Sequence, residues 1–112
     1  ELEWLKTDLT VTKSPVIVFL HQRLDVENQK PIAVKNADQV RTLLEKSGKV
    51  RIVLQGHEHG GGYKEIADIS YCTLSAVIEG SGLKNNSFSF LEILENGDWR
   101  LHGFLKQKSR NS

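Results

Sequence analysis

The sequence predicts an α/β protein, and three observations carry that prediction. Two apolar runs, Val16–Leu20 and Val50–Gln55, are rich in β-branched and leucine side chains and indicate strands. A helical pattern near Ala37–Lys46 lies between them. This strand-helix-strand order predicts two parallel strands in one sheet with a right-handed crossover. Later in the chain, Asn96-Gly97 separates two strand patterns and indicates an antiparallel hairpin.

Composition excludes several classes of function. The chain has 112 residues, enough for one domain, and its net charge of +1 gives no electrostatic footprint for nucleic acid or a membrane surface. No apolar run approaches the roughly 18 residues of a membrane span. We therefore expect neither a nucleic-acid nor a membrane partner. Cys72 is the only cysteine, so no intrachain disulfide can form, and the compartment stays undetermined.

The first element is predicted to be a helix. Leu2, Leu5 and Leu9 fall on one face at helical spacing, yet no capping residue precedes them. The sequence also contains no methionine and thus no initiator. We interpret residues 1–112 as a single partial domain cut from a longer protein.

The crossover unit is predicted from its boundaries. Ser14-Pro15 ends the first pattern, and the strand Val16–Leu20, expected to be buried on both faces, runs directly into His21. The polar segment 22–35 reads as a long connection. Asn36 is predicted to cap the next helix together with Gln39, and Gly48 to end it. Its buried stripe is expected to comprise Ala37, Val40, Leu43 and Leu44.

The stretch Gly56–Tyr63, which follows the second strand, contains two candidate metal-binding histidines. In an extended backbone, His57 and His59 would point to one side and Glu58 to the other. Parallel strands end at the same sheet edge, so His21 and His57 should lie close together. Imidazoles suit zinc, iron or manganese, whereas the alternative is a surface turn with solvated histidines.

The last third is predicted to be antiparallel. Ile69–Leu74 has strand propensity, and the strands Ser87–Leu94 and Trp99–Leu105 flank the Asn-Gly turn. His102 reads as a solvated strand residue, and the basic tail 106–112 as frayed. With the turn centred on Asn-Gly, one face of the hairpin is expected to hold Phe88, Phe90, Leu94, Trp99, Leu101 and Leu105.

Three of these motifs together resemble the C-terminal half of the calcineurin-like metallophosphoesterases. They are Glu1–Leu5, Pro15–His21 and Gly56–His59, in the order in which that family places a Q-L-x-W-L helix, a strand ending in a metal-binding histidine, and G-H-x-H. The resemblance implies half of a four-layer α/β/β/α sandwich. The segments Gly60–Tyr63 and Val77–Gly80 also resemble the manganese-dependent ADP-ribose/CDP-alcohol diphosphatase branch.

The resemblance implies a metal-dependent phosphoester hydrolase. Two divalent ions (Mn, Fe, Zn or Ni) would activate a water that attacks the phosphorus of a phosphoester substrate. His21 and His57 would bind one ion and His59 the other. The positions expected near substrate phosphate are Arg23, Gly60, Gly61 and Tyr63.

Two departures from the family pattern limit which of its properties can be transferred to this chain. Arg23 stands where many members have proline. The D-x-H, G-D-x-x-D and G-N-H motifs, which supply a bridging aspartate, further ligands and the histidine that protonates the leaving group, do not occur in the sequence. Substitute carboxylates could come only from neighbours such as Asp25, Glu27 and Glu58. We expect the intact parent to be an enzyme and the isolated chain to be inactive.

The alternative is a non-catalytic metal-binding or interaction module with the same half-domain fold. In either case half of a sandwich leaves sheet edges and faces uncovered, so we expect the chain to form homo-oligomers.

Overall fold

A computed structural model describes residues 1–26 and 31–112. The described residues form two sheets, with helices on the outer side of the first. No helix among them is long and apolar enough to cross a membrane. In chain order the elements are α1 Leu2–Val11, β1 Val16–Phe19, α2 Ala37–Ser47, β2 Val50–Gln55, β3 Gly62–Ile66, β4 Ile69–Thr73, a 3₁₀ turn Leu83–Asn85, β5 Ser87–Ile93, β6 Trp99–Leu105 and β7 Arg110–Asn111.

The first sheet has the strand order β1-β2-β4-β3. The predicted parallel pairing of β1 with β2 is confirmed. The expectation that strands after β2 are antiparallel is wrong for β4, which pairs parallel to β2. The reason is β3: part of the glycine-rich stretch, expected to be only a turn, forms a strand that pairs antiparallel with β4. This extra strand reverses the chain once more, so β4 runs in the direction of β2.

Both helices pack as their apolar stripes predict. In α1, Leu9 is buried and Leu5 packs against the same cluster, while in α2 Leu44 is fully buried. Gly48 adopts a left-handed conformation (φ +63°) and ends α2, as expected. The predicted capping box is wrong, since the Asn36 side chain makes no capping hydrogen bond; the backbone N–H of Gln39 instead donates to Asp38 Oδ1 at 2.8 Å.

The core has two layers that meet at the first sheet. One face of this sheet packs on the helices, and its other face packs on the second sheet through Ile52, Leu54 and Cys72 against Trp99 and Leu101. The prediction that β1 is buried on both faces is wrong, because β1 is an edge strand whose Phe19 side chain is exposed.

Two ionisable groups lie inside this core on β4. Burial raises the pKa of Tyr71 to about 12 and the pKa of Cys72 to about 11. Both groups are therefore neutral at physiological pH, and β4 is buried along its whole length.

The second sheet is a meander of β5, β6 and β7. The predicted hairpin at Asn96-Gly97 forms, but Leu94 pairs with Asp98 around a three-residue loop with Gly97 left-handed (φ +88°). This register differs by one residue from a two-residue turn and therefore moves β5 side chains to the opposite face. The predicted face is wrong for Phe88 and Phe90: these two side chains lie opposite His102 and Phe104, on the outer face, while Trp99 and Leu101 face the core.

The C-terminal residues are folded, contrary to the expectation of a frayed tail. Arg110 and Asn111 form β7 and pair with Leu101 and Arg100 of β6. The turn before β7 approaches β6 so closely that a Cβ built on Gly103 would lie 2.2 Å from the carbonyl oxygen of Gln107. Glycine at position 103 therefore permits the turn that returns the tail to the sheet.

Candidate functional site

Two histidines meet where β1 and β2 end. Backbone pairing continues past the strands: Leu20 N–H donates to Leu54 O at 3.1 Å, and Gly56 N–H to His21 O at 2.9 Å. These bonds place the imidazoles side by side, with His21 Nε2 and His57 Nδ1 3.1 Å apart and the ring planes at 86°. The topological expectation that these two residues lie close together is confirmed, while their role as ligands stays a prediction.

The backbone at His57 is not extended as expected. His57 has φ +69°, and the N–H of Glu58 donates to Gly56 O at 2.9 Å, so His57 is the central residue of a γ-turn. A non-glycine residue held at positive φ is strained by about 1–3 kcal/mol and persists only where its surroundings fix it. The turn aims the His57 ring at His21, away from the direction of the strand.

The separation of the two nitrogens fits a shared metal ion. Two nitrogens each about 2.1 Å from one ion, at angles between octahedral and tetrahedral, lie roughly 3.0–3.4 Å apart. The observed 3.1 Å falls in that interval. The donor set is nonetheless partial, because residues 1–26 and 31–112 contain no group of three or more His, Cys, Asp or Glu side chains arranged to hold a metal ion.

His59 lies apart from this pair and contacts a carboxylate. Its Nδ1 is 2.7 Å from Glu79 Oε2, and the His59 and Glu79 side chains are 66% and 47% exposed. The Ala76 N–H donates to His59 O at 3.0 Å and fixes the backbone there. Glu79 was not among the predicted site residues. The only sequence signal for it is its position in Val77–Gly80, a segment singled out without a role for any one residue.

Arg23 connects the two loops that carry the histidines. Its guanidinium donates to both oxygens of Asp25, at 2.8 and 2.6 Å, and its Nη1 donates to Glu58 Oε2. Arg23 is buried, so the predicted contact with substrate phosphate would have to use donors that these carboxylates leave over. The phosphate-binding role stays a prediction, and what the geometry assigns to Arg23 is holding the loop beside His57.

The same contacts show where the candidate carboxylates point. Glu58 turns to Arg23, and Asp25 is enclosed by Arg23 and by Gln55, whose Nε2 donates to Asp25 Oδ1 at 2.5 Å. Burial by itself raises the pKa of Asp25, but hydrogen bonds from Arg23 and Gln55 outweigh it, so the pKa is lowered. The third candidate, Glu27, lies outside the described residues.

The glycines after His59 border a cleft. Gly61 has φ +72°, and a Cβ there would lie 2.7 Å from Ser75 Oγ, so the close approach of these two loops requires glycine. Gly60 and Gly61 line a cleft of about 90 Å³. Tyr63 is not part of its lining; the Tyr63 hydroxyl is 3.2 Å from Ser70 Oγ and the ring lies 5.3 Å beneath the Arg110 guanidinium.

The chain is similar in structure to a dimetal phosphatase from Danio rerio. The match has a TM-score of 0.84 with 22% sequence identity, and it covers 98% of this chain but 36% of the phosphatase chain. No protein-family model matches the sequence, and no curated protein sequence is significantly similar to it. The likeness confirms the predicted fold class, an α/β fold with a parallel sheet and antiparallel strands, and the chain corresponds in length to about a third of that phosphatase.

Proposed function

We propose that this chain contributes histidine ligands to the metal centre of a phosphoester hydrolase. The observation that carries the proposal is the 3.1 Å approach of His21 Nε2 to His57 Nδ1 at the carboxyl edge of a parallel sheet. Such an edge is where open α/β sheets bind ligands. The dimetal phosphatase with the same fold supports the choice of a hydrolase, and the fold by itself does not specify it.

The proposed ligands have distinct surroundings. His21 and His57 would bind one ion through the facing nitrogens. His59 would bind the second ion through Nε2, because its Nδ1 contacts Glu79 and a carboxylate there fixes the tautomer and the ring orientation of a ligating histidine. Arg23 would act by holding Glu58, and through it the loop, in place.

A pair of bound divalent ions would polarise the phosphoryl group and lower the pKa of a coordinated water. The protein's part in such chemistry is mostly positioning and charge neutralisation. We propose that the bridging ligand, the remaining ligands and the group that protonates the leaving alcohol belong to other parts of a longer protein. The metal could be Mn, Fe, Zn or Ni, since imidazole suits all four.

Metal titration of this chain tests the proposed ligands. We expect weak binding of Zn²⁺ and Mn²⁺ that His57→Ala reduces. Binding is measured by calorimetry and by NMR shifts at His21 and His57. The matched control is His102→Ala, since His102 is an exposed histidine that contacts Glu92 on the second sheet. Equal metal binding by all three proteins would contradict the assignment, and micromolar or tighter binding lost in His57→Ala would show that the ligand set is complete within this chain.

Within this function we propose a substrate with a diphosphate linkage. The support is the sequence resemblance of Gly60–Tyr63 and Val77–Gly80 to the ADP-ribose/CDP-alcohol diphosphatase branch, together with the contact between His59 and Glu79 that joins these two segments. A longer protein that contains this chain should hydrolyse ADP-ribose faster than a phosphate monoester in the presence of manganese. Faster hydrolysis of the phosphate monoester would contradict the proposal.

The second candidate function is a non-catalytic module. It is favoured by the partial ligand set among the described residues, where no three candidate side chains are grouped for a metal ion. The two functions differ in one measurement: metal-dependent phosphoesterase activity of the longer protein that is lost with His57→Ala supports the enzyme, and a metal-free longer protein without turnover supports the module.

A further inference from the structure

We propose that the cleft beside the glycine stretch is a binding site for a phosphate group, formed by residues other than the histidines. This cleft of about 90 Å³ is bordered on one side by Gly60–Gly62 and on the other by the turn that joins β6 to β7. The turn contributes Lys106 and Lys108, and β7 contributes Arg110. The proposal does not rest on the proposed metal centre.

The charge of the lining is entirely positive. The cleft residues include three cations and no carboxylate. In the described part of the chain, no carboxylate forms an ion pair with Lys106, Lys108 or Arg110, whereas Arg23, Lys64 and Arg100 each have at least one such partner. The Cys72 thiol in the lining is neutral, because burial raises its pKa to about 11. Three uncompensated cations facing one small cleft favour an anion of high charge density.

The cations are held in place by the fold. The turn is joined to the first sheet by a hydrogen bond from Ser75 N–H to Gln107 Oε1 at 2.8 Å, which sets the lysines on either side of Gln107 against the glycine stretch. Gly103 N–H donates to Ser109 Oγ at 3.0 Å. Arg110 packs its guanidinium over the Tyr63 ring at 5.3 Å. An anion would therefore meet a turn whose backbone is already fixed and an Arg110 side chain that is already packed.

The other wall offers space and polar groups. Gly60, Gly61 and Gly62 carry no side chains, so an anion can approach the backbone closely, as it does in glycine-rich phosphate sites. Ser75 adds a hydroxyl-bearing side chain to the lining, whereas the Thr73 hydroxyl accepts a hydrogen bond from Gln55. A tetrahedral oxyanion could thus take charge-assisted hydrogen bonds from lysine and arginine and a neutral one from the Ser75 hydroxyl.

The test is a titration of metal-free protein with inorganic phosphate, followed by ¹H–¹⁵N NMR at low ionic strength. We expect saturable shifts at Gly60, Ser75 and Arg110. Because the variant removes the charge-assisted hydrogen bonds of two lysines, Lys106→Gln/Lys108→Gln should weaken binding at least about tenfold. Both lysines are exposed, so this variant is expected to fold, and its unligated spectrum checks that.

The matched control is Lys6→Gln/Lys46→Gln. It removes the same charge from a second groove lined by lysines, between α1 and α2. Binding unchanged in this control and lost in the cleft variant supports the site. Equal weakening in both variants, shifts centred on the α1–α2 groove, or no saturable shift would overturn it.

A second titration with ADP distinguishes the source of the phosphate. Shifts that extend from the cleft to Gly56 and His57 indicate a phosphate group of a larger substrate, and the site is then part of the active centre. Cleft shifts with inorganic phosphate and none with ADP indicate the free ion. Both outcomes uphold a phosphate site. Because no metal is present, either result can be obtained even if the proposed metal centre fails.

Discussion

Asp25 is the buried charge on which the loop after β1 depends. Its side chain is fully buried and accepts hydrogen bonds from Arg23 and Gln55, while Lys64 Nζ lies 4.0 Å away. Removing the charge in Asp25→Asn leaves the buried Arg23 without its main partner, and breaking such a pair costs about 3–5 kcal/mol. We expect a loss of that order in the free energy of unfolding, measured by urea denaturation.

The same substitution has a signature in acid. The pKa of Asp25 is lowered in the folded state, so its contribution to stability is present above the unfolded pKa of about 3.9 and is lost as pH falls through the folded pKa. The stability of Asp25→Asn should therefore fall less in that range than that of the wild type. The control is Glu95→Gln, which removes an exposed carboxylate from the loop of the hairpin. Identical acid dependence in wild type and Asp25→Asn would contradict the prediction.

The histidines illustrate what single residues in a sequence reveal. The proximity of His21 and His57 could be predicted from the sequence, because each residue follows a parallel strand and parallel strands end at the same edge of the sheet. The γ-turn at His57 could not be predicted, because the chain places a non-glycine residue at positive φ and only the surrounding contacts support it. The partner of His59 was equally hidden, since Glu79 lies twenty residues later in a loop.

At the scale of elements, the turn between β3 and β4 can be improved. Ile66 pairs with Ile69, and the two residues between them, Ala67 and Asp68, have φ of +49° and +61°. These angles match a type I′ turn, for which Asn-Gly is the preferred pair. We expect Ala67→Asn/Asp68→Gly to raise the unfolding free energy by about 1 kcal/mol, with part of the relieved strain offset by the entropy of the new glycine.

The opposite substitution serves as a check. Ala67→Val puts a β-branched side chain at positive φ and should lower stability. Both effects should shift the denaturation midpoint without changing the slope. A double variant no more stable than the wild type would mean that the turn is not strained in solution.

The prediction of elements failed where a glycine pattern is compatible with two different local structures. A glycine run predicts a turn, and residues 56–61 do form one, but Gly62 begins a strand because β4 offers it a partner. The same applies to the Asn-Gly hairpin: its position was predicted, yet two- and three-residue loops share that signature, and the choice between them decides which side of β5 faces the core. Patterns that indicate a single structure, such as the apolar stripes of α1 and α2, predicted their elements correctly.

At the scale of the molecule, an aromatic cluster covers the outer face of the second sheet. The Phe88 and Phe104 rings stack with centroids 4.6 Å apart, and Phe90 meets Phe104 edge-on at 5.7 Å. Phe90 is 64% exposed and Phe88 is 51% exposed. Contiguous exposed apolar surface of this kind marks an interaction site or an aggregation liability.

We therefore expect the chain to self-associate through this cluster at high concentration. Phe90→Ser/Phe104→Ser should shift the light-scattering mass to the monomer and should cost less stability than a core substitution, because Phe90 is 64% and Phe104 is 40% exposed. The control is Leu83→Ser, since Leu83 is 79% exposed and lies outside the cluster. A wild-type mass equal to the monomer at high concentration would contradict this prediction. Association that persists in the double variant would indicate the exposed edge strand β1 as the contact surface.

The two sheets differ in how far along the chain their partners lie. Leu94 pairs with Asp98 around three residues, whereas Val16 of β1 has to find Val50 across the whole helical crossover. Each doubling of the closed segment raises the entropic cost of closing it by about 0.6 kcal/mol. The segment between Val16 and Val50 is longer than the hairpin loop by roughly three doublings, so closing it costs about 2 kcal/mol more. The second sheet, which includes the basic tail, is thus formed by contacts between residues that lie close together in the sequence. The sheet edge where His21 and His57 meet forms only after β1 has paired with β2 across the long crossover.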